Sequence, residues 1–322
     1  MKNRYRAIIS VIIQLILFVS VLGKSSNQTT FTGSKYDTLF YGGLTRTFRI
    51  HIPKSYINSK SIPLVIALHG GGGSAEAMVA LTRGGFDVLS EKEGFIVVYP
   101  EGIDKHWNDG RGLRRYKAQR ENINDVGFIS YLIDYLHQKY DIDRTRVYVT
   151  GMSNGAIMSF RLACELSGKI AAIAPVAGLM PENIFGKCNP SEPVSVLIIN
   201  STDDPITPWT GGYFKLGILR FGKGISVRKA ALFWAEFNGC SGPPVIEVLP
   251  DKDPDDGTRV QRIWYGKGRE GTEVVLYKIS GSGHTWPGGY QYLRERIIGK
   301  ACNDINACEI IWSFFKRHKS KL

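Results

Sequence analysis

The sequence predicts one α/β domain with a mostly parallel central sheet and helices on both faces of that sheet. Short apolar runs, suited to buried parallel strands, alternate along the chain with segments of helical periodicity. The chain has 322 residues and is 43% hydrophobic, which is enough for one large core. No internal repeat or low-complexity linker interrupts the pattern, so we expect a single folded domain.

The strands and helices follow from these patterns in chain order. We expect an edge strand at residues 46–53, where polar and apolar residues alternate. Buried strands are expected in six apolar runs: 64–68, 95–99, 147–150, 171–176, 196–200 and 273–279. Helices are expected at 75–93, from Asn124 or Asp125 to Tyr140, from Ala156 onward, at 227–238 and at 307–317. Ligands of such sheets bind beyond the carboxyl ends of the strands, so the loops there are the candidate site.

The amino terminus has the features of a secretory signal peptide at residues 1–23, with a basic start and an apolar stretch at 7–22. We expect cleavage near Gly23. The alternative is an uncleaved membrane anchor, but sixteen positions are shorter than the usual membrane span. The predicted organisation is then a flexible leader at 24–35, one domain at 36–318 and a basic tail at 319–322.

The chain is basic, with a formal net charge of +12. Removal of the signal peptide takes away three basic residues and no acidic ones, which leaves +9. Apart from a run at 316–321, Lys and Arg are scattered along the sequence and are not gathered on one element with base-stacking aromatics. This argues against a nucleic-acid partner. We interpret the charge as general surface character, with attraction to anionic cell-wall material as the alternative.

Five cysteines in an exported chain allow at most two internal disulfides. Their spacing does not determine the connectivity. We expect Cys164 to pair with Cys188, which leaves Cys240, Cys302 and Cys308 unassigned. There is no C-x-x-C pair to suggest zinc or redox chemistry.

The most informative motif is Gly151-Met152-Ser153-Asn154-Gly155, which follows a β-rich run at 146–150 and precedes a helical pattern. Strand, G-x-S-x-G and helix in this order form the nucleophile elbow of the α/β-hydrolase fold, with the serine as nucleophile. Glycine at both flanking positions permits the tight turn. The helix directs its amides and positive dipole end at the same spot. A simple Gly-Ser turn is the alternative.

A serine nucleophile needs a base and an acid, and in this fold they follow in the order Asp or Glu, then His. His284 lies in a glycine-rich loop after the strand at 273–279, whereas the other late histidine, His318, sits in the basic run. The acid is expected after the strand at 196–200, where Asp203 or Asp204 could serve. We favour Asp204 because a residue before proline is pushed into an extended conformation. An Asp-Pro turn without a catalytic role is the alternative.

The glycine run at 70–73 after His69 is typical of a loop that supplies oxyanion-hole amides, here those of Gly70 or Gly71 together with that of Asn154. It lacks the Gly-Lys-Ser/Thr ending of a phosphate-binding loop. Aromatic residues near the same loops are candidates for substrate binding, with ordinary packing as the alternative: Trp107, Trp209, Tyr213 and Trp286. The Asp-rich run at 251–256 does not fit a calcium loop, and we expect no metal and no cofactor.

Taken together, the motifs resemble one family. They are Leu68-His69-Gly70-Gly71-Gly72-Gly73, Asp125-Val126-Gly127-Phe128, the elbow with Ala156, Ala174-Pro175-Val176-Ala177-Gly178, Asp204-Pro205 with Gly211-Gly212, Gly283-His284-Thr285-Trp286-Pro287-Gly288-Gly289, and Ile311-Trp312-Ser313-Phe314-Phe315. The chain is similar to the secreted poly(3-hydroxybutyrate) depolymerase-like esterases, which merge with the feruloyl and acetyl-xylan esterases of the first carbohydrate esterase family. The resemblance implies Ser153 as nucleophile, Asp204 as acid and His284 as base.

We therefore expect a secreted, monomeric serine esterase that forms an acyl-enzyme. Its expected substrates are hydroxyalkanoate oligomers or polyester, or feruloyl and acetyl esters of plant polysaccharide. No nucleic-acid partner and no stable membrane association after signal cleavage are expected. The alternatives are a peptidase or acyltransferase on the same triad, or a non-catalytic carbohydrate-binding protein.

Overall fold

Twelve β-strands lie in the part of the chain that the computed structural model describes, residues 31–58 and 61–321. They are β1 (Gly33–Tyr41), β2 (Leu44–Ile52), β3 (Ile62–Leu68), β4 (Ile96–Pro100), β5 (Ile142–Met152), β6 (Ala172–Val176), β7 (Ser195–Ser201), β8 (Gly212–Leu216), β9 (Leu219–Gly224), β10 (Val245–Val248), β11 (Arg259–Lys267) and β12 (Glu273–Ser280). The predicted signal peptide and residues 24–30 of the predicted leader lie outside the described residues.

Ten of these strands form one sheet in the order β1-β2-β4-β3-β5-β6-β7-β12-β11-β10. The six strands from β4 to β12 in this order pair in parallel. The pairs at the two margins are antiparallel. The predicted α/β fold with a mostly parallel sheet is confirmed. Strands β8 and β9 form a separate hairpin.

Nine α-helices are found among the described residues. They are α1 (Ala75–Leu81), α2 (Gly85–Glu93), α3 (Lys117–Arg120), α4 (Asp125–Tyr140), α5 (Asn154–Glu165), α6 (Glu182–Phe185), α7 (Val227–Asn238), α8 (Glu295–Ile298) and α9 (Ala307–Phe315). Short 3-10 turns occur at Lys54–Asn58, Ile103–Lys105, Pro254–Asp256 and Arg269–Gly271. The helices predicted at 227–238 and before Tyr140 are confirmed, and the side chain of Asn124 caps α4 by accepting a hydrogen bond from Gly127 N.

Helices cover both faces of the sheet because successive residues of a strand point to opposite sides. In β3, for example, Leu64 and Ile66 enter one core together with side chains of α4, α5 and α7. Val65 and Ala67 enter a second core with side chains of α1, α2 and α9. Both faces of the sheet are therefore covered by buried side chains, which explains why the parallel strands are continuous apolar runs in the sequence.

Two of the predicted elements differ from the structure. The strand predicted at an edge, at 46–53, is β2, which pairs with both β1 and β4, so β1 is the edge strand. The helix predicted at 75–93 is two helices, because Arg83 and Gly84 adopt left-handed conformations, with φ of 52° and 67°. A left-handed pair cannot continue a right-handed helix, and the chain turns there.

The boundaries of the predicted leader and tail also differ from the observed ones. β1 begins at Gly33, and the hydroxyl of Ser34 lies 2.8 Å from Nδ1 of His51 on β2. Half-buried and exposed residues alternate along most of this strand and only Leu39 is buried, so no continuous apolar run marked it in the sequence. At the other end, Ser320 N donates to Thr145 O at 2.9 Å, so the described part of the tail contacts the domain.

One disulfide joins Cys164 near the end of α5 to Cys188, which confirms the predicted pairing. Cys240, Cys302 and Cys308 are free thiols, and the last two are buried. Among the described residues, no helix combines the length and hydropathy of a membrane-spanning segment.

Candidate active site

Ser153 sits at the turn between β5 and α5, with φ of 54° and ψ of −114°. This conformation is unfavourable for a residue with a side chain, and such strain is typical of functional turns. The flanking glycines are required sterically. A Cβ on Gly151 would lie 2.7 Å from Leu68 O, and one on Gly155 would lie 2.3 Å from the same oxygen. The packing of the elbow on β3 therefore explains the G-x-S-x-G spacing.

His284 and Asp204 meet above the carboxyl ends of β12 and β7. Nδ1 of His284 lies 2.7 Å from Oδ2 of Asp204, and both side chains are almost fully buried. Because a carboxylate only accepts hydrogen bonds, the proton on this nitrogen belongs to His284, which leaves Nε2 as an acceptor in the neutral ring.

The carboxylate of Asp204 is held rigidly by its own loop. Its Oδ1 accepts hydrogen bonds from the amides of Ile206 and Thr207, at 2.7 and 2.8 Å, and its Oδ2 accepts one from the hydroxyl of Thr207. The neighbouring Asp203 is exposed and accepts a hydrogen bond from Gly281 N at 2.7 Å. The two adjacent aspartates thus have different roles: Asp204 contacts the imidazole and Asp203 anchors the start of the histidine loop.

The histidine loop lies against the segment at 298–302. His284 N donates to Ile298 O at 2.5 Å, and Gly283 N donates to Lys300 O at 2.8 Å. The hydroxyl of Tyr292 donates to His284 O at 3.1 Å. These bonds fix the backbone of His284 from both sides, so the imidazole orientation does not depend on Asp204 alone.

The glycine loop after β3 lies beside Ser153. A Cβ on Gly70 would be 3.7 Å from Cβ of Ser153, and one on Gly71 would be 3.6 Å from Cβ of Asn154. The amides of Gly72 and Gly73 donate to Lys105 O and Gly70 O. The amides of Gly70, Gly71 and Asn154 donate to no acceptor among the residues described, so they are available to a substrate oxygen.

His69 supports this loop as a neutral ring. Its Nε2 accepts a hydrogen bond from Gly102 N at 3.0 Å, so Nδ1 carries the proton and donates to Gly70 O at 2.7 Å. Burial lowers the pKa of His69 to about 4, although the bond to Gly70 O favours the protonated form. The ring is therefore uncharged at neutral pH and acts as a rigid spacer between two loops.

Ser153 and His284 line one cavity of about 370 Å³. Most of its wall is apolar or backbone: His69, the glycines at 70–73, Ala77, Met78, Ala80, Leu81, Met152, Tyr290 and Tyr292. Within the described residues, Ser153 Oγ makes no hydrogen bond to His284. Catalytic hydrogen bonds are often long in ligand-free enzymes and shorten when substrate binds.

The four aromatic residues predicted to bind substrate do not line this cavity; the prediction is wrong for Trp107 and Trp286, and for Trp209 and Tyr213 it stays a prediction. Trp107 and Trp286 are 0% and 1% exposed, so neither ring can stack on a ligand. Trp209 packs against the core, and Tyr213 lies on the separate β8–β9 hairpin. The aromatic wall is instead formed by Tyr290 and Tyr292. Nearness in sequence to a site loop does not determine which way a ring points.

Sequence reasoning also missed a buried polar network next to Ser153. The side chain of Asn154 accepts a hydrogen bond from Trp107 N at 2.9 Å and donates to Asp109 Oδ2 at 2.5 Å. Asp109 also accepts from Gln119 and pairs with Arg111 at 2.7 Å. The network ties the loop at 101–125 to the start of α5. The motif predicted a backbone role for Asn154, but nothing in the spacing indicated the role of its side chain.

Asp125, one of the two residues at which a helix was predicted to begin, forms a buried ion pair. Its Oδ1 lies 2.7 Å from a guanidinium nitrogen of Arg46, and its Oδ2 accepts a hydrogen bond from Asn108 N. Burial raises the pKa of Asp125, while Arg46 opposes that shift. The pair lies beneath the loop at 101–125 and has a structural role.

Comparison with known proteins agrees with this architecture. The family model described as "Esterase PHB depolymerase" matches residues 47–207, half of the chain. NocK of Nocardia uniformis subsp. tsuyamanensis, which carries the name of an esterase, is 28% identical over 279 residues, covering 84% of this chain and 79% of that protein. Feruloyl esterase B of Piromyces equi is 30% identical over 244 residues, covering 73% of this chain but only 42% of that protein.

Among solved structures, the acetyl xylan esterase from Aspergillus awamori superimposes with a TM-score of 0.54 at 15% sequence identity. The superposition covers 78% of this chain and 94% of the other, and it shows that the two proteins share the α/β-hydrolase fold. The chain thus belongs to the PHB depolymerase esterase family and is a carboxylic ester hydrolase.

Proposed function

We propose that the protein is a serine esterase in which Ser153 is the nucleophile, His284 the base and Asp204 the acid. The main support for this proposal is the buried 2.7 Å hydrogen bond between His284 Nδ1 and Asp204 Oδ2. His284 also lines the same cavity as Ser153. The strained backbone of Ser153 supports the same assignment.

The arrangement supports a two-step reaction. Nε2 of His284 takes the proton of Ser153 as Oγ attacks the ester carbonyl carbon, and Asp204 stabilises the imidazolium that forms. The carbonyl oxygen that becomes negatively charged accepts hydrogen bonds from the amide of Asn154 and from that of Gly70 or Gly71, which stabilise its charge. His284 then protonates the leaving alcohol, and an acyl-enzyme remains on Ser153. Water, deprotonated by His284, attacks the acyl-enzyme in the same way and releases the carboxylic acid product and free Ser153.

The cavity favours esters with an apolar or aromatic acyl group. Met78, Leu81 and Met152 form an apolar wall, and Tyr290 and Tyr292 add two aromatic rings. Such surfaces bind apolar groups through burial and ring contacts. Relatives named feruloyl esterase and acetyl xylan esterase support a polysaccharide-linked ester as substrate. Hydroxyalkanoate oligomers fit the same chemistry.

We also propose that the enzyme is exported and loses residues 1–23. The disulfide between Cys164 and Cys188 supports this, because disulfides persist mainly in oxidising compartments outside the cytosol. Sequencing of the amino terminus of the protein recovered from the culture medium tests the cleavage site: a start near residue 24 agrees, and an intact Met1 contradicts it.

The nucleophile is tested by Ser153→Ala, with Ser159→Ala as control. Ser159 lies on α5, the helix that follows Ser153, and its hydroxyl donates to Gly155 O. We expect Ser153→Ala to lower kcat on a p-nitrophenyl ester by about 10⁶ and Ser159→Ala to change it by less than about fivefold. Substantial activity of Ser153→Ala would overturn the assignment. Product analysis with peptide substrates and added alcohols separates an esterase from a peptidase or acyltransferase.

A further inference from the structure

Lysines and arginines that are scattered along the sequence come together beside the active site. Two segments, 110–120 and 205–235, each contain five Lys or Arg residues and no Asp or Glu. In the structure, the guanidinium of Arg111 donates to Phe221 O on β9 at 3.1 Å. The guanidinium of Arg115 lies 5.1 Å from the ring of Phe221. The two acid-free segments therefore touch each other.

The centre of this region is the outer face of the β8–β9 hairpin. Phe214 points inward and is buried, so the neighbouring Tyr213 and Lys215 point outward. Lys215 is directly opposite Arg220 in the antiparallel register, and Lys223 is opposite Tyr213. Arg220 and Lys223 both lie within 5 Å of the centre of the Tyr213 ring, at 4.6 and 4.9 Å. We call Lys215, Arg220, Lys223 and Arg115 the basic face.

The basic face is electrostatically unfavourable on its own. Like charges placed directly opposite each other on antiparallel strands destabilise the pair, as for Lys215 and Arg220. None of the four cations of the basic face forms an ion pair with a carboxylate among the described residues. An anionic ligand would relieve this repulsion, and its attraction to the face is strongest at low ionic strength.

The basic face is connected to the catalytic residues by two short paths. Lys215 N donates to Ile206 O at 2.9 Å, and Ile206 N donates to the carboxylate of Asp204. On the other side, the side chain of Asn154, next to Ser153, bonds to Asp109, which pairs with Arg111. The guanidinium of Arg111 in turn donates to Phe221 O, between Arg220 and Lys223 on β9. A chain molecule held by the basic face would therefore lie beside the point at which its ester is cleaved.

We propose that the basic face binds an acidic, carboxylate-bearing stretch of the polysaccharide whose ester the enzyme hydrolyses. This inference rests on the proposed esterase function and adds the charge of the polymer. Lysine and arginine would pair with uronate carboxylates, and the arginine side chains offer two parallel donors to each carboxylate. The hairpin turn also exposes Ile218 at 97% of its surface, as a membrane-inserting tip would, so anionic vesicles form a second arm of the test.

The test compares the triple variant Lys215→Gln/Arg220→Gln/Lys223→Gln with a control triple, Lys92→Gln/Lys252→Gln/Lys319→Gln. The control removes the same charge from exposed lysines away from the hairpin. Each protein is assayed on p-nitrophenyl acetate and on feruloyl esters of a neutral and a uronate-bearing xylo-oligosaccharide, at low and high NaCl.

We expect the hairpin triple to lower kcat/KM on the uronate-bearing ester by about tenfold at low salt, through KM, and to lose this difference at high salt. Its activity on the neutral oligosaccharide and on p-nitrophenyl acetate should match that of the control triple. Equal effects of the two triples, or equal losses on acidic and neutral esters, would overturn the inference. Loss of binding to phosphatidylglycerol vesicles with unchanged oligosaccharide kinetics would also overturn it, in favour of a membrane surface. Failure of the unmodified enzyme to hydrolyse any ester would instead refute the proposed function.

Discussion

Asp203 and Asp204 are adjacent in the chain, but their carboxylates make different contacts. Both follow β7, and both carboxylates are within hydrogen-bonding distance of neighbouring loop groups. Only Asp204 is buried and contacts His284. Thr207 uses both its amide and its hydroxyl to hold this carboxylate in place. The acid of the proposed triad is therefore oriented before any substrate arrives.

We predict that Asp204→Asn lowers kcat on a p-nitrophenyl ester by about 10⁴, because an amide no longer holds the imidazole in the required tautomer. The matched control is Asp203→Asn, one residue away, which should keep kcat within about tenfold because it removes only a loop contact. Steady-state kinetics of the two variants, after a check of folding by circular dichroism, measures both. A larger loss for Asp203→Asn would contradict the assignment of the acid.

At the level of residues, the sequence predicted Ser153, Asp204 and His284 because the order of the three and their places after strands are strong constraints. The sequence left Asp203 as an alternative to Asp204, and the structure shows that the carboxylate of Asp204 contacts the His284 imidazole. The aromatic residues were predicted less well. Trp107 is buried and bonds to His69 O and to the side chain of Asn154, and Tyr290 lines the cavity with its amide bonded to Leu81 O. Such contacts join distant segments and leave no periodic signal.

The elbow between β5 and α5 is the element on which the site depends. It requires β3, the strand at its side, to come very close, since Leu68 O would collide with a side chain on Gly151 or Gly155. Strand, turn and helix therefore form one unit, and the strain at Ser153 is maintained by the packing around it.

We predict that Gly155→Ala lowers the free energy of unfolding by about 3 kcal/mol or prevents folding, because its Cβ would meet Leu68 O at 2.3 Å and His69 O at 2.7 Å. Gly168→Ala is the control, since its Cβ would meet only Ser191 Oγ at 3.9 Å. Urea denaturation followed by tryptophan fluorescence measures the difference. Equal stability of the two variants would show that the elbow is not packed as described.

At the level of elements, long apolar runs and caps were predicted well, and polar or short elements were not. α7 matches its predicted bounds because Ser226 caps its start and Gly239 ends it. The strands β1, β8, β9, β10 and β11 went unpredicted, since they lie at the margins of the sheet or in the separate hairpin and most of their residues are exposed or half-buried. β10, for instance, is exposed throughout, so no burial pattern marks it.

Over the whole molecule, two buried titratable groups contribute to the response to acid in different pH ranges. Burial lowers the pKa of His69 to about 4. Burial alone would raise the pKa of Glu273, but hydrogen bonds from His318 and Arg317 outweigh it and lower that pKa to about 2. His69 joins two loops at the site, whereas Glu273 joins β12 to the carboxyl terminus.

We predict that the free energy of unfolding falls by up to about 3 kcal/mol as the pH decreases from 6.5 to about 4, because the unfolded chain then binds a proton that folded His69 does not. His69→Gln should flatten this part of the curve, since an amide oxygen can still accept from Gly102 N and does not titrate. Glu273→Gln, the control, should alter only the range from 4.5 down to about 2, where stability from the ionised carboxylate is lost. An unchanged slope in His69→Gln would contradict the assignment.

The clustering of Lys and Arg on one surface is a property of the whole molecule that the linear sequence does not reveal. Lys and Arg residues at 111–120 and 215–229 are far apart in the chain, and their clustering became apparent only once Arg111 was seen to bond to Phe221 O. The fold class, in contrast, follows from the alternation of apolar runs and helices, which is repeated along the chain and tolerates local errors.

The central claim is that Ser153 is made nucleophilic by His284 and Asp204. Its most direct test is reaction of the active enzyme with a fluorophosphonate, followed by mass spectrometry of the intact protein and of its peptides. We predict one adduct, on Ser153, that is absent in Ser153→Ala and forms far more slowly in Asp204→Asn. An enzyme that hydrolyses esters but carries the label on another residue, or resists labelling altogether, would contradict the account.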